Sequence, residues 1–122
     1  MAVRSGEDTI DLRSEGAVVV ATIRKGTFRD EKQILPTLER LGKIIDARSK
    51  VQMVLDLSHV EYLSSAGLGR LVALLKKARA GGGDLYLAAV NKPIHELLEV
   101  MRLTEIFEIH GRIEEAVEAF GG

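Results

Sequence analysis

Alternation is the first pattern along the chain. In "TIDLRS" (Thr9–Ser14) apolar and polar residues take turns, as in a strand with one wet face. Glu15-Gly16 supplies a turn, and "AVVVATI" (Ala17–Ile23) is a β-branched run, so the two together predict a hairpin. Lys25-Gly26 breaks the pattern, and from Asp30 to Ser49 the period lengthens. Ile34, Leu38, Leu41 and Ile45 share one helical stripe. Asp30 with Gln33 has the form of a capping box. Pro36, however, is comfortable only in a first turn, where its missing N–H is not needed. A regular helix is therefore expected to begin a few residues after Asp30, behind a looser turn.

"VQMVLDL" (Val51–Leu57) is short and almost wholly apolar, the pattern of a strand buried on both faces, usually a central parallel one. Leu68, Leu71, Val72 and Leu75 then lie on one face of a helix, with Arg70, Lys76 and Lys77 away from it. Gly81-Gly82-Gly83 should end that helix, because glycine adopts the left-handed cap. The basic residues of its last turns suit the negative end of the helix dipole. "LYLAAV" (Leu85–Val90) is another buried strand. Asn91 reads as an N-cap with Pro93 in the first turn, and Ile94, Leu97, Leu98 and Met101 form the inner stripe of a third helix. "EIFEI" (Glu105–Ile109) reads as a short strand, and Ile113, Ala116, Val117 and Phe120 mark a last helix. The order is β-β-α-β-α-β-α-β-α. Such alternation predicts an α/β domain: a sheet with helices against it and a hairpin at one edge.

Composition narrows the class. A chain of 122 residues fits one domain, and 46% apolar residues are enough for a real core. The 29% of charged residues predicts solubility, and the chain does not have the composition of disorder. With no tryptophan and few aromatics, the core must be built from Leu, Ile, Val and Ala. A formal net charge of −1 offers no basic field to nucleic acid. The absence of cysteine excludes disulfides and thiolate metal sites and fits a reducing compartment. No apolar stretch approaches the roughly 20 residues of a membrane helix. "MAVRSGEDT" lacks the apolar centre of a signal peptide. A cytoplasmic protein without membrane insertion is the expectation, with residues 1–8 a loosely ordered lead-in to a single domain.

Few residues suggest chemistry. His59, His95 and His110 are far apart and share no metal-ligand spacing; His95 has Glu99 one turn on, a local pair rather than a site. Glu114-Glu115 falls early in a helix, where carboxylates favour the dipole, and reads as solvated surface. The stretch "EYLSSAGLGRL" (Glu61–Leu71) is more informative. Its glycines match neither a phosphate-binding P-loop nor a dinucleotide fingerprint, since the lysine of one and the third glycine of the other are missing. Ser64 and Ser65 are not in a hydrolase elbow, and no local Asp/His pair would activate them, so no catalytic residue is assigned. Both serines stand where a loop meets a helix. A serine there caps the open first turn. The same free N–H groups and positive dipole end would also stabilise a phosphate. A phosphate would add about −1.5 to −2 charges at pH 7, enough to abolish docking of an acidic partner.

From "VLDLSHVEYLSSAGLGRL" through "GGGDLYL" to the helical "EEAV", the chain resembles the STAS domain family, in particular the bacterial anti-sigma factor antagonists. The N-terminal hairpin and first helix follow the same family order. The resemblance implies a single domain over 1–122, with a small mixed sheet and about four helices packed mainly on one face. It also implies action by binding: no enzyme activity, no cofactor and no metal of its own. In that family the unphosphorylated antagonist binds an anti-sigma factor serine/threonine kinase and frees the sigma factor. Phosphorylation of a serine at this helix start then ends the binding. By motif position that serine is Ser65, with Ser64 as second candidate. Ser64 stands where the family usually has Asp, and Ala66 where it often has Ser or Thr. A further acidic position of the family falls in "GTFRDE", where Arg29 stands and Asp30 follows. The implied partner surface is Leu63, Ser64, Ser65, Ala66, Gly67, Leu68, Gly69 and Asp30. The implied partners are the kinase and a cognate phosphatase, in a monomer or weak homodimer. The alternative is a STAS scaffold that docks a partner without being phosphorylated, as a subunit of a transporter ATPase or a stressosome-like sensory assembly.

Overall fold

In a computed structural model of the chain, the structure describes residues 10–24, 26–28 and 31–121. The hairpin forms as expected: β1 (Ile10–Glu15) pairs antiparallel with β2 (Val18–Ile23). The remaining ladders of the main sheet are parallel. β2 pairs with β4 (Gln52–Asp56), β4 with β6 (Asp84–Ala88), and β6 with β7 (Ile109–His110), giving the order β1-β2-β4-β6-β7. Helices α1 (Glu31–Asp46), α2 (Ser65–Ala80), α3 (Lys92–Val100) and α4 (Ile113–Ala119) occupy the expected places. The mixed α/β architecture and its order are those read from the sequence. A second, two-stranded parallel ladder joins β3 (Gly26–Phe28) to β5 (Val60–Leu63). The sequence pattern hid it, because β5 exposes both Glu61 and Tyr62 and so does not alternate.

Strand β4 explains the layering. Met53, Leu55 and the following Leu57 point into the larger core with α1, α2 and α3, whose Ile34, Leu41, Leu68, Leu71, Leu75 and Leu98 pack there. Val54 points the other way, into a smaller core with Val18, Val20, Ala88 and Ala116 of α4. Three helices thus cover one face and one covers the other. On the α4 face Tyr86 stacks on Phe120, with ring centroids 3.9 Å apart. Burial, then the nearby Glu108 and Asp84 carboxylates, raises the Tyr86 pKa above its ordinary value, so the ring stays neutral.

Two local expectations are corrected. Helix α1 starts at Glu31 with Pro36 inside it, not after a looser turn. Pro36 lies only in the second turn, so its missing N–H leaves just the Lys32 carbonyl without its helical donor. Burial of Ile34, Leu38, Leu41 and Ile45 on one face outweighs that loss. The expected strand Glu105–Ile109 contracts to Ile109–His110, preceded by a 3₁₀ turn at Leu103–Glu105. The Ile106 and Phe107 N–H groups instead donate to the Leu103 carbonyl, at 3.0 and 2.9 Å, so the chain turns where a strand would need those donors for a neighbouring strand. Arg29, Asp30 with its capping box, and the lead-in 1–8 lie outside the described residues.

The glycine stop after α2 has a steric side as well as a conformational one. Gly81 caps the helix and Gly82 takes the left-handed conformation at φ +87. Gly83 packs against the Val51 backbone so closely that a Cβ would fall on the Val51 carbonyl. The Asp84 N–H donates to that same carbonyl at 2.8 Å, which sets the register of β6 on β4. Gly83→Ala should therefore lower stability by about 2–3 kcal/mol in urea denaturation. Gly69→Ala, at a position with open space around it, should not lower it.

Candidate functional site

The junction of β5 and α2 is built from the core outward. Leu63 ends β5 and is 1% exposed; Leu68, in the first turns of α2, is fully buried. Between them the chain turns from strand to helix at Ser64, which has extended backbone (φ −75, ψ 163). Its Oγ accepts the Gly67 N–H at 3.1 Å, and its carbonyl accepts the Leu68 N–H at 3.0 Å. Ser64 is thus the N-cap of α2. Ser65 is the first helical residue, and its side chain is exposed. Ala66 and Gly69 are exposed beside it. Gly67 faces inward, where a Cβ would meet Leu63 at 3.3 Å.

The motif therefore divides. The side chains of Leu63 and Leu68, and the inward face of Gly67, anchor the helix in the core and are not the partner surface expected of them. Two buried neighbours on one helix turn and one strand end leave no room for them outside. Ser65, Ala66 and Gly69 are the open part, with Ser64 half-buried at the rim. Asp30 lies outside the described residues.

Two residues that the motif does not contain hold the junction in place. Asn91 caps α3 by accepting the Ile94 N–H at 2.9 Å. Its Nδ2 also donates to the carbonyls of Val60 at 3.3 Å and Glu61 at 3.1 Å, tying α3 to β5. Asp56, 3% exposed at the end of β4, accepts from Thr22 Oγ1 at 2.8 Å and from the Ser58 N–H at 2.9 Å. It thereby shapes the turn that leads into β5. The cap role of Asn91 was legible from Pro93 and the helical stripe, but its tie to β5, 30 residues away in sequence, was not.

The chemistry of the junction is modest. Helix α2 has no acidic residue in its first turn, so the positive dipole end is uncompensated by its own side chains. Among the described residues no carboxylate or imidazole is bonded to either serine hydroxyl. The histidines are elsewhere: His95 lies 3.6 Å from Glu99 and His110 2.8 Å from Glu108, while His59 is exposed. Among the described residues no group of three potential ligands could hold a metal, and no helix is long and apolar enough to cross a membrane.

The division of labour between the serines has a measurable form. Ser64→Ala should cost about 1 kcal/mol of stability in urea denaturation through loss of the cap. Ser65→Ala, at an exposed first-turn position, should stay within about 0.5 kcal/mol of the parent. Asn91→Ala should cost about 1–2 kcal/mol, since a cap and the tie from α3 to β5 are lost together.

Comparison with known proteins follows the same geometry. The STAS domain family model matches residues 16–116, which takes in β2, the β5–α2 junction and most of α4. The anti-sigma F factor antagonist of Paenibacillus polymyxa is 30% identical over 71 residues, 58% of this chain and 61% of that protein. The chain spans between 60% and 65% of the length of such curated relatives. An anti-sigma factor antagonist from Mycobacterium paratuberculosis has a similar structure, with a TM-score of 0.79 at 22% identity over 91% of this chain and 92% of the other. The Bacillus protein SpoIIAA is similar in its unphosphorylated form, with a TM-score of 0.75 at 15% identity over 93% of this chain and 96% of that one. Its phosphorylated form gives 0.63 at 15% identity over 91% and 98%. At these identities the structural likeness establishes the fold, and the family match over most of the chain establishes the kinship. By its sheet order, its serine-capped helix and that match, the chain belongs to the STAS domain family.

Proposed function

We propose that this chain is an anti-sigma factor antagonist that works by partner switching. Unphosphorylated, it binds an anti-sigma factor that is also a serine kinase, and the sigma factor is released. The kinase then phosphorylates Ser65 and the complex separates. The observation that carries this reading is the split between the two serines. Ser64 spends its hydroxyl on the helix cap, while Ser65 presents its hydroxyl to solvent one residue later. The names of the relatives support the role, and SpoIIAA is a member of the fold with a phosphorylated form.

The physics of the switch follows from the site. The Ser65 oxygen would attack the γ-phosphorus of ATP bound to the kinase, ADP would leave, and the hydroxyl proton would pass to a base of the kinase. This chain contributes the hydroxyl and its presentation. The product carries about −1.5 to −2 charges at a helix N-terminus, where free N–H groups stabilise it without unfolding α2. The fold is kept and the surface changes sign. A partner that packs against Ala66, Gly69 and the exposed Tyr62 (44% accessible) would then meet an anion in place of a small neutral patch. Desolvating that anion without a cation opposite it is costly. Asp30 belongs to the same proposal as an acidic residue of the partner surface.

The test uses the kinase encoded by the same organism. Ser65→Asp should lose binding to it, and Ser65→Ala should bind as the parent does. After incubation with kinase and ATP, mass spectrometry should find the phosphate on Ser65, and Ser64→Ala should still be modified. If Ser65→Asp binds the kinase as tightly as the parent, the switch does not operate here.

A further inference from the structure

The outer edge of β1 is free, since among the described residues β1 pairs only with β2. Its sequence, from Asp11 to Glu15, carries alternating charges around one exposed apolar residue, Leu12, which is 40% accessible. An open strand edge is a template for pairing with another chain. We propose that this edge pairs with the same edge of a second copy of the chain, antiparallel and two-fold, with Leu12 opposite Leu12.

The register follows from the hairpin and from charge. Gly16, at φ +65, occupies the first position of the two-residue turn between Glu15 and Val18. Residues flanking such a turn form a hydrogen-bonded pair. Asp11, Arg13 and Glu15 therefore direct their main-chain groups at β2, while Leu12 and Ser14 direct theirs at the open edge. A two-fold axis at Leu12 makes Leu12 with Leu12 a hydrogen-bonded pair. It also places Asp11 of each copy opposite Arg13 of the other, at the closer, non-hydrogen-bonded spacing that favours side-chain contact. Shifting the axis to Arg13 would set Arg13 against Arg13 and Asp11 against Glu15. Shifting it to Asp11 would set carboxylate against carboxylate. The Leu12 register is complementary at both charged positions.

Within one copy, and among the described residues, these charges have exposed partners. Arg13 lies 2.9 Å from Glu15, and Arg24 lies 3.3 Å from Asp11, with every one of these side chains close to half exposed or more. Exposed pairs of this kind hold weakly, so the charges are available to share across a new ladder. Leu12 lies opposite Ala21 in the hairpin and so on the same face as the buried Ile10. Covering it would extend the larger core's face across the two copies.

Sedimentation velocity of the full 122-residue chain over a concentration series tests the proposal. The parent should show a concentration-dependent dimer, and Leu12→Lys, which sets two cations opposite each other at an exposed position, should remain monomeric. Asp11→Arg and Arg13→Asp should each raise the dimer dissociation constant at least about tenfold. Mixed in equal amounts, those two should regain the parent's affinity as a heterodimer, because both contacts are then opposite in sign. Far-UV circular dichroism checks that each variant is folded, and Leu12→Lys keeps the test alive if a charge variant is not. A parent that stays monomeric at every concentration overturns the proposal. So does a Leu12→Lys chain that dimerises like the parent, or a mixture no tighter than either variant alone.

Discussion

The structure depends on the two-sided burial of β4. It is the middle strand of the main sheet, with parallel neighbours on both edges and apolar cover on both faces. Met53, Val54, Leu55 and Leu57 are all fully buried. At about 1.5–3 kcal/mol for each large side chain, this segment alone contributes a substantial part of the hydrophobic stabilisation. Two features of the site hang from its ends. Asp56 shapes the turn toward β5 at one end, and the Gly83–Val51 approach locks the return from α2 at the other. The strand–helix junction that carries the serines is therefore bracketed by contacts to the most buried part of the sheet.

That bracketing matters for a modification site. A phosphate at the start of a free helix could reorganise the helix. Here α2 is held by Leu68, Leu71 and Leu75 below and by the Ser64 cap at its end. The added charge can then act on the surface without altering the fold. A binding module that must be read repeatedly in two states benefits from such stiffness, because the difference between the states is confined to one exposed oxygen and what surrounds it. Under the proposed switch the two adjacent serines would serve two different needs: the cap turns inward to reach Gly67, and the acceptor would have to face outward.

Among the described residues the main sheet also has an unpaired edge at β1, on the opposite side of β2 and β4 from the short β7. The edge is charged rather than apolar, which guards against indiscriminate pairing. The order of those charges is a separate property from their presence. Alternation of acid and base opposes the registers centred on Asp11 and Arg13, and only the one centred on Leu12 also sets leucine against leucine.

Much of this was legible in one dimension. The β-branched run, the apolar "VQMVLDL" and the stripes of α1, α2 and α4 are local patterns, and each became the element it predicted, because periodic burial is encoded within a dozen residues. The serine motif placed the helix start and its cap for the same reason. What the sequence could not show depends on contacts distant along the chain. The β3–β5 ladder is too short to have a pattern of its own, and β5 exposes Glu61 and Tyr62 together. The Asn91 tie to β5 joins residues 30 apart. Pro36 within α1 is permitted only because the stripe around it is buried elsewhere. The split of "LSSAGLG" into a buried anchor and an exposed face is likewise a tertiary fact. By itself the sequence determined which segments turn inward and where the helices after α1 begin; the packing of α2 onto the sheet decided which atoms of the motif are left exposed, since burial belongs to the neighbours as much as to the residue.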